Sequence, residues 1–157
     1  MPSQTDTLDL VANSGAVMTA TQWLETISVR ESWPLALTFA LTISLDEALT
    51  NIVSYAFRID HSVERDHRTD VDSAPCSIRL SCTSFNNQVR IDITDNGFPY
   101  DPTKANTPPL PESVEHARFG GHGLRLMRHY LSDISYFRRD QENHLTLIAT
   151  VKGDDIV

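Results

Sequence analysis

The sequence predicts an α+β sandwich: a mixed, mostly antiparallel sheet covered on one face by a single layer of helices. Three observations carry this. Short runs near both ends and in the middle (8–12, 78–82, 89–95, 134–137 and 145–151) alternate apolar and polar residues, the period of a half-buried strand. Two long segments after the first run, and a shorter one before the fourth, repeat apolar residues at helical spacing. The later strands come in pairs joined by short polar turns, as hairpins do, and the order strand, two helices, two strands, helix, two strands gives one helical layer.

In chain order, Leu8, Leu10 and Ala12 alternate with Asp9 and Val11, a weak strand signal. Asn13 or Ser14 then caps a helix to about Val29, with Val17, Ala20, Trp23 or Leu24, and Ile27 on one apolar face. Ser32-Trp33-Pro34 opens the next helix, with Pro34 suited to its first turn. This second helix, roughly Leu35 to Phe57, is apolar almost all round, carrying Leu37, Phe39, Leu41, Ile43, Leu45, Leu49, Ile52 and Val53, and is expected to be central and largely buried. Ser44, Glu47, Asn51 and Ser54 draw one polar stripe along it. Either that stripe faces solvent, or it lines a polar cavity where a carboxylate serves as base and an amide oxygen as a ligand for a hard cation.

From Arg58 to Pro75 the pattern dissolves into charged and hydroxyl residues, a solvated connection without a core face. His61 and His67 lie there among Asp60, Asp66, Asp70 and Asp72, but their spacing fits no tight metal-ligand pattern, and a surface loop is the expectation. Ile78, Leu80 and Cys82 mark the next strand, joined through Phe85-Asn86-Asn87-Gln88 to another bearing Val89, Ile91 and Ile93 on one face. The period of two puts Asp95 on that same apolar face. Burying an ionised acid without partners is costly, so Asp95 is either satisfied by protein donors or placed for a ligand's donors. Gly97 allows a bend or a close backbone approach; read alone, Asp95-Asn96-Gly97 is equally a strand ending in a turn.

Residues 98–119 carry five prolines and little periodicity, as expected of a functional lid or a disordered loop, with room for a short helix from Glu112 to Arg118. Gly120-Gly121-His122-Gly123-Leu124 leads into a helix with Leu124, Met127 and Leu131 at helical spacing. Glycines at a helix start expose unpaired N–H groups and the positive dipole end, which suits a phosphate; a hinge has the same composition. Ile134–Phe137 and Leu145–Val151 read as closing strands of a second hairpin turning near 139–143.

A chain of 157 residues, 40% hydrophobic and 22% charged, reads as one soluble globular domain with a core. With no apolar run of membrane-spanning length and no signal segment at its start, a cytoplasmic location is the default. The net charge of -8 argues against a nucleic-acid binder, which needs a basic surface, and favours protein or small-molecule partners. Cys76 and Cys82 lie too far apart along one strand to bond with each other, so reduced thiols are expected.

In order, Glu47-Ala48-Leu49-Thr50-Asn51, Asp95-Asn96-Gly97 and Gly121-His122-Gly123-Leu124 resemble the three nucleotide-binding boxes of the GHKL ATPase superfamily. That group includes histidine-kinase ATP domains, type II topoisomerases, mismatch-repair proteins and a heat-shock chaperone. The resemblance runs from about Leu8 to Val151. The small size, Phe98-Pro99-Tyr100-Asp101-Pro102 after the Asp-x-Gly, the Gly-Gly-x-Gly-Leu-x-Leu-Met run and Asp133 make the chain similar to the anti-sigma-factor serine/threonine kinases of the RsbW type.

This resemblance implies one histidine-kinase-like ATPase domain over 1–157, with an ATP lid at 98–119. Asp95 would accept a hydrogen bond from the adenine amino group, and Gly97 would let the ring lie against backbone. Asn51 would ligate Mg²⁺ through its amide oxygen, and Glu47 would orient or deprotonate the attacking serine or threonine hydroxyl. Gly121, His122 and Gly123, leading into Leu124, would offer backbone N–H groups to the phosphates; Arg118 would reach the terminal phosphate, and Thr146 matches a family threonine near adenine. The chain departs from the pattern at Tyr55, where the family often has histidine, in a longer polar connection and in its proline-rich lid.

The implied function is a cytoplasmic protein kinase that uses Mg²⁺-ATP, phosphorylates a small anti-sigma-factor antagonist and, as an anti-sigma factor, sequesters a sigma factor. It would act as a homodimer built on the first strand and helix, without membrane or direct nucleic-acid contact. Two rivals are a non-catalytic ATP-binding adaptor, disfavoured by the intact Glu47, and an ATP-binding fragment of a sensor histidine kinase, disfavoured because no phosphoacceptor helices precede a chain that reads as complete.

Overall fold

The computed structural model describes residues 3–57, 76–104 and 123–151. The polar connection after Arg58, most of the expected lid with its short helix and Arg118, and the pair Gly121-His122 lie outside the described residues. Strand β1 (Gln4–Val11) is followed by helices α1 (Ala16–Arg30) and α2 (Leu35–Asn51), then by a widened helical turn over Ile52–Ala56. Strands β2 (Ser77–Phe85) and β3 (Gln88–Asp95), helix α3 (Gly123–Tyr130), and strands β4 (Asp133–Arg139) and β5 (Glu142–Thr150) complete it.

The five strands form one sheet in the order β1-β2-β3-β5-β4. All four pairings are antiparallel, so the parallel contact that a mixed sheet requires is not found among the described residues. Both hairpins turn where the sequence places them. Asn86 in one, and Asp140 with Gln141 in the other, take left-handed backbone angles (φ 53°, 53° and 66°), and two such residues in succession match the strands' twist. Ile78, Leu80 and Cys82 of β2, Val89, Ile91 and Ile93 of β3, and Leu145, Leu147 and Ala149 of β5 point to the same face and meet the helices there. Both cysteines are free, and burial pushes the Cys82 thiol up to about 12, which keeps it protonated.

Helix α1 buries Ala20, Leu24 and Ile27 of the expected stripe, and its first turn buries Ala16, with Val17 only partly buried. Its start differs from expectation: Asn13 Oδ1 accepts from the Gly15 N–H (2.8 Å) in a turn before the helix, and Gly15 occupies the cap position. At the other end Arg30 grips Asp6 of β1 through two nitrogens (3.0 and 2.6 Å), which holds the Asp6 carboxyl below its usual range.

Helix α2 lies in the core through Leu37, Leu41, Leu45 and Leu49, but it is not apolar-buried all round: Leu35 is 85% and Phe39 50% exposed. The segment Leu35–Ala56 is long and apolar enough by length and composition to cross a membrane, contrary to the sequence expectation that no run has that length. Here it is the central helix, packed against α1 on one side and α3 on the other. Nor is it uniform to Phe57. After Asn51 it widens, and the Phe57 N–H bonds to Ile52 O at 3.1 Å, five residues back.

Candidate functional site

The widened turn is where two of the sequence stretches meet. It delivers the Ala56 carbonyl to the Phe98 N–H (2.7 Å), just past the end of β3. A Cβ on Gly97 would stand 2.7 Å from Ala56 O and 2.9 Å from its carbonyl carbon and Cβ. The close approach that Gly97 permits is therefore to the chain's own backbone. Gly97→Ala is expected to cost about 1–3 kcal/mol, because backbone cannot rotate away as a side chain does. A urea unfolding midpoint equal to the wild type's would refute that packing account.

Asp95 ends β3 on the core face and is 2% exposed. Its Oδ1 accepts from the Gly97 N–H (2.9 Å) and from Asn143 Nδ2 (2.9 Å). Asn143 is its register partner on β5. Burial raises the Asp95 pKa; the Asn143 and Gly97 bonds and the Arg138 and His144 charges pull the other way without cancelling it. The first sequence alternative, satisfaction by protein donors, holds for one of the two oxygens. Protein donors satisfy Oδ1, while Oδ2 carries no bond from a described residue.

On α2 the polar stripe divides. Ser44 is fully buried, and its Oγ has no hydrogen-bond partner among the described residues; Glu47, Asn51 and Ser54 are half-buried. The stripe therefore descends into the protein from a half-open end. Asn51 Nδ2 donates to Glu47 Oε1 at 3.4 Å, confirming that residues four apart project together, and the Asn51 amide oxygen takes no bond from a described residue. Burial raises the Glu47 pKa against the Asn51 bond, with Asp46 adding to the rise. Tyr55 stacks on Tyr100 (centroids 5.1 Å apart, planes 20°). Burial, then the neighbouring Tyr55 and the Glu47 and Asp101 charges, push the Tyr100 phenol up to about 12. The loop after β3 thus packs beside Glu47, and the tyrosine at the departing position has a packing role.

The third stretch enters through α3, which begins at Gly123 and packs on α2, with Met127 buried and Leu124 against the core. Thr146 is not brought to the site. It lies on the opposite face of β5, where its Oγ1 donates to Asp92 Oδ1 (2.8 Å). Strand alternation that turns Leu145 and Leu147 inward must turn Thr146 outward. The residue of β5 that does touch Asp95 is Asn143, which the sequence reading missed. The parity that identifies Asp95 as inward, applied to β5, identifies Asn143 as well. A depression of about 510 Å³ lined by Asp9, Ser77, Ile78, Arg79, Thr94 and Glu142 contains none of these candidates.

A family model described as the histidine kinase-like ATPase domain matches residues 10–149. The serine/threonine-protein kinase BtrW of Bordetella bronchiseptica is 46% identical over 149 residues, covering 95% of this chain and 96% of that protein. The solved structure of RsbU and RsbW domains from Mycobacterium tuberculosis aligns with a TM-score of 0.54 at 13% identity, over 96% of this chain and 32% of that one. A histidine kinase domain from an Erythrobacter litoralis blue-light activated histidine kinase aligns with a TM-score of 0.51 at 15% identity, over 90% and 62%. The chain spans less than two thirds of either structural relative, and at these identities the two speak for the fold alone.

Proposed function

Since the chain belongs to the histidine kinase-like ATPase domain family, we propose that it is an ATP-dependent protein kinase that phosphorylates a serine or threonine of a partner protein. The observation that carries this reading is the docking of Gly97 and Phe98 on Ala56, which joins the Asp95 loop to the helix bearing Glu47 and Asn51. Asp95 Oδ2 is the acceptor for the adenine amino group. Asn51's amide oxygen, which takes no bond from a described residue, would suit a hard cation such as Mg²⁺. The ion's part is to neutralise charge on the phosphates.

Glu47 receives the proton of the attacking hydroxyl as that oxygen bonds the terminal phosphorus and the bond to ADP breaks. Burial raises its pKa, which makes it a better base than an ordinary carboxylate. Gly121, His122 and Gly123 supply N–H groups to the phosphates and Arg118 meets the terminal one, by resemblance to the family's boxes. The single ATPase domain, the cytoplasmic location, the homodimer, the antagonist substrate and the sequestered sigma factor belong to this proposal as what the resemblance to the family implies, while the kinship to BtrW bears on the kinase activity.

Incubating the protein with γ-labelled ATP, Mg²⁺ and a candidate antagonist is the test. Label on the antagonist that withstands acid and is lost in alkali is the expected result, the signature of a phosphorylated hydroxyl. Acid-labile label would mean histidine phosphorylation. Binding of ATP with no transfer to any partner would leave the adaptor.

A further inference from the structure

The Asn143 side chain is 3% exposed and fully engaged. Its Nδ2 donates to Asp95 Oδ1 (2.9 Å) and to Phe98 O (2.8 Å). Its Oδ1 accepts from the Tyr136 hydroxyl, from Arg138 (3.0 Å) and from the Tyr100 N–H (3.4 Å). Inverting the amide would turn its NH₂ onto Arg138 and the Tyr100 N–H, which can only donate, so the orientation is determined. Arg138 also donates to Gly97 O at 3.1 Å, closing the cluster around the loop.

An ionised carboxylate offers about four lone-pair sites, two on each oxygen. At Asp95, Oδ1 already receives two donors, the Gly97 N–H and the Asn143 NH₂, and Oδ2 receives none from the described residues. The side chain therefore presents one open oxygen rather than two. A base with a single exocyclic amino group, as adenine has, is matched by one oxygen. A base with two adjacent donors, guanine's ring N–H and amino group, needs both oxygens for its bidentate contact. Against a half-filled carboxylate it makes one bond and leaves a second donor unpaired in a desolvated site.

We propose that Asn143 is a specificity-determining residue, which by filling Oδ1 makes Asp95 a one-oxygen acceptor and so selects adenine over guanine nucleotides. This rests on the reading of Asp95 as the base-binding residue.

The experiment is calorimetric titration of Mg²⁺-ATP, Mg²⁺-GTP and Mg²⁺-ITP into the wild type and into Asn143→Ala, with circular dichroism to check folding. ITP carries the ring N–H of guanine without its amino group. Wild type should prefer ATP to GTP by roughly 100-fold, the worth of one donor left unpaired in a desolvated site. It should bind GTP more weakly than ITP, since the second donor finds no acceptor. In Asn143→Ala, Oδ1 opens. The preference for ATP should shrink to within about tenfold and GTP should overtake ITP, whereas a merely structural loss would weaken all three nucleotides alike.

A folded variant with the wild-type ratios, or a wild type that accepts ATP and GTP equally, overturns the inference and leaves the nucleotide site standing. A wild type that binds no nucleotide overturns both. Should Asn143→Ala fail to fold, the wild-type comparison of GTP with ITP decides: weaker binding of GTP supports one open oxygen, and GTP binding as tightly as ITP or more tightly refutes it.

Discussion

Glu47→Ala leaves Mg²⁺-ATP bound and lowers phosphoryl transfer to a protein hydroxyl by on the order of 10²–10⁴, the usual worth of a positioned general base. Binding survives because Glu47 is not among the groups assigned to base or cation. Its one described hydrogen bond is the 3.4 Å contact from Asn51, and losing it frees Asn51 Nδ2 on a half-buried surface where water can replace the carboxylate. The acid side of the pH–rate profile follows from the sign of the Glu47 shift. A base must be ionised to accept a proton, and burial raises this carboxyl above its ordinary 4.5, so the rate climbs with pH through a value above 4.5 and then levels. Glu47→Gln should lose rate as alanine does and should lose the acid limb too. Single-turnover transfer measured beside calorimetric ATP binding separates the roles; a variant that no longer binds ATP would make Glu47 a structural residue.

Asp95→Asn folds and loses ATP binding by roughly 10²–10³-fold. The amide oxygen can still take the Gly97 and Asn143 donors on the Oδ1 side, which turns the new NH₂ toward the adenine amino group, donor against donor. The same substitution changes how stability depends on pH. Burial raises the folded-state pKa of Asp95 above its ordinary 3.8, so the folded protein holds this proton more tightly than the unfolded chain. That contribution to stability is fully present below 3.8 and is lost as pH rises through the folded value. Glu47 has the same sign and Asp6 the opposite one, but both remain in the variant, so the difference between the two unfolding curves isolates Asp95. The gap between wild type and variant should therefore move in the variant's favour as pH rises from 4 to 7. A gap that stays constant across that range would contradict burial as the dominant cause.

Much of this arrangement is legible in residue order. The alternation at Val89, Ile91, Ile93 and Asp95 commits the carboxylate to the core face, and it lies there. The four-residue spacing of Glu47 and Asn51 commits them to one side of α2, and they touch. Left-handed Asn86, Asp140 and Gln141 occupy the turns that the polar pairs predict. Composition alone did not tell whether the polar stripe is a wet surface or a cavity wall, because Ser44, Glu47 and Asn51 share a helix face yet sit at different depths, Ser44 buried and the other two half-buried.

By itself the sequence determined the elements, their hairpin pairing, the inward acid and the order of the three boxes, since each depends on a local period or on short-range turn chemistry. The tertiary structure decided the rest. A helix has no local reason to widen at Ile52–Ala56; it does so where the Ala56 carbonyl meets the Phe98 N–H and Gly97 leaves space for it. Which residue of β5 reaches Asp95 is a matter of register between strands distant in sequence. That register pairs Asp95 with Asn143 and sends Thr146 to the other face, where it binds Asp92. Contacts of this kind exist only after chain segments meet, and no local periodicity encodes which atoms face one another across the gap.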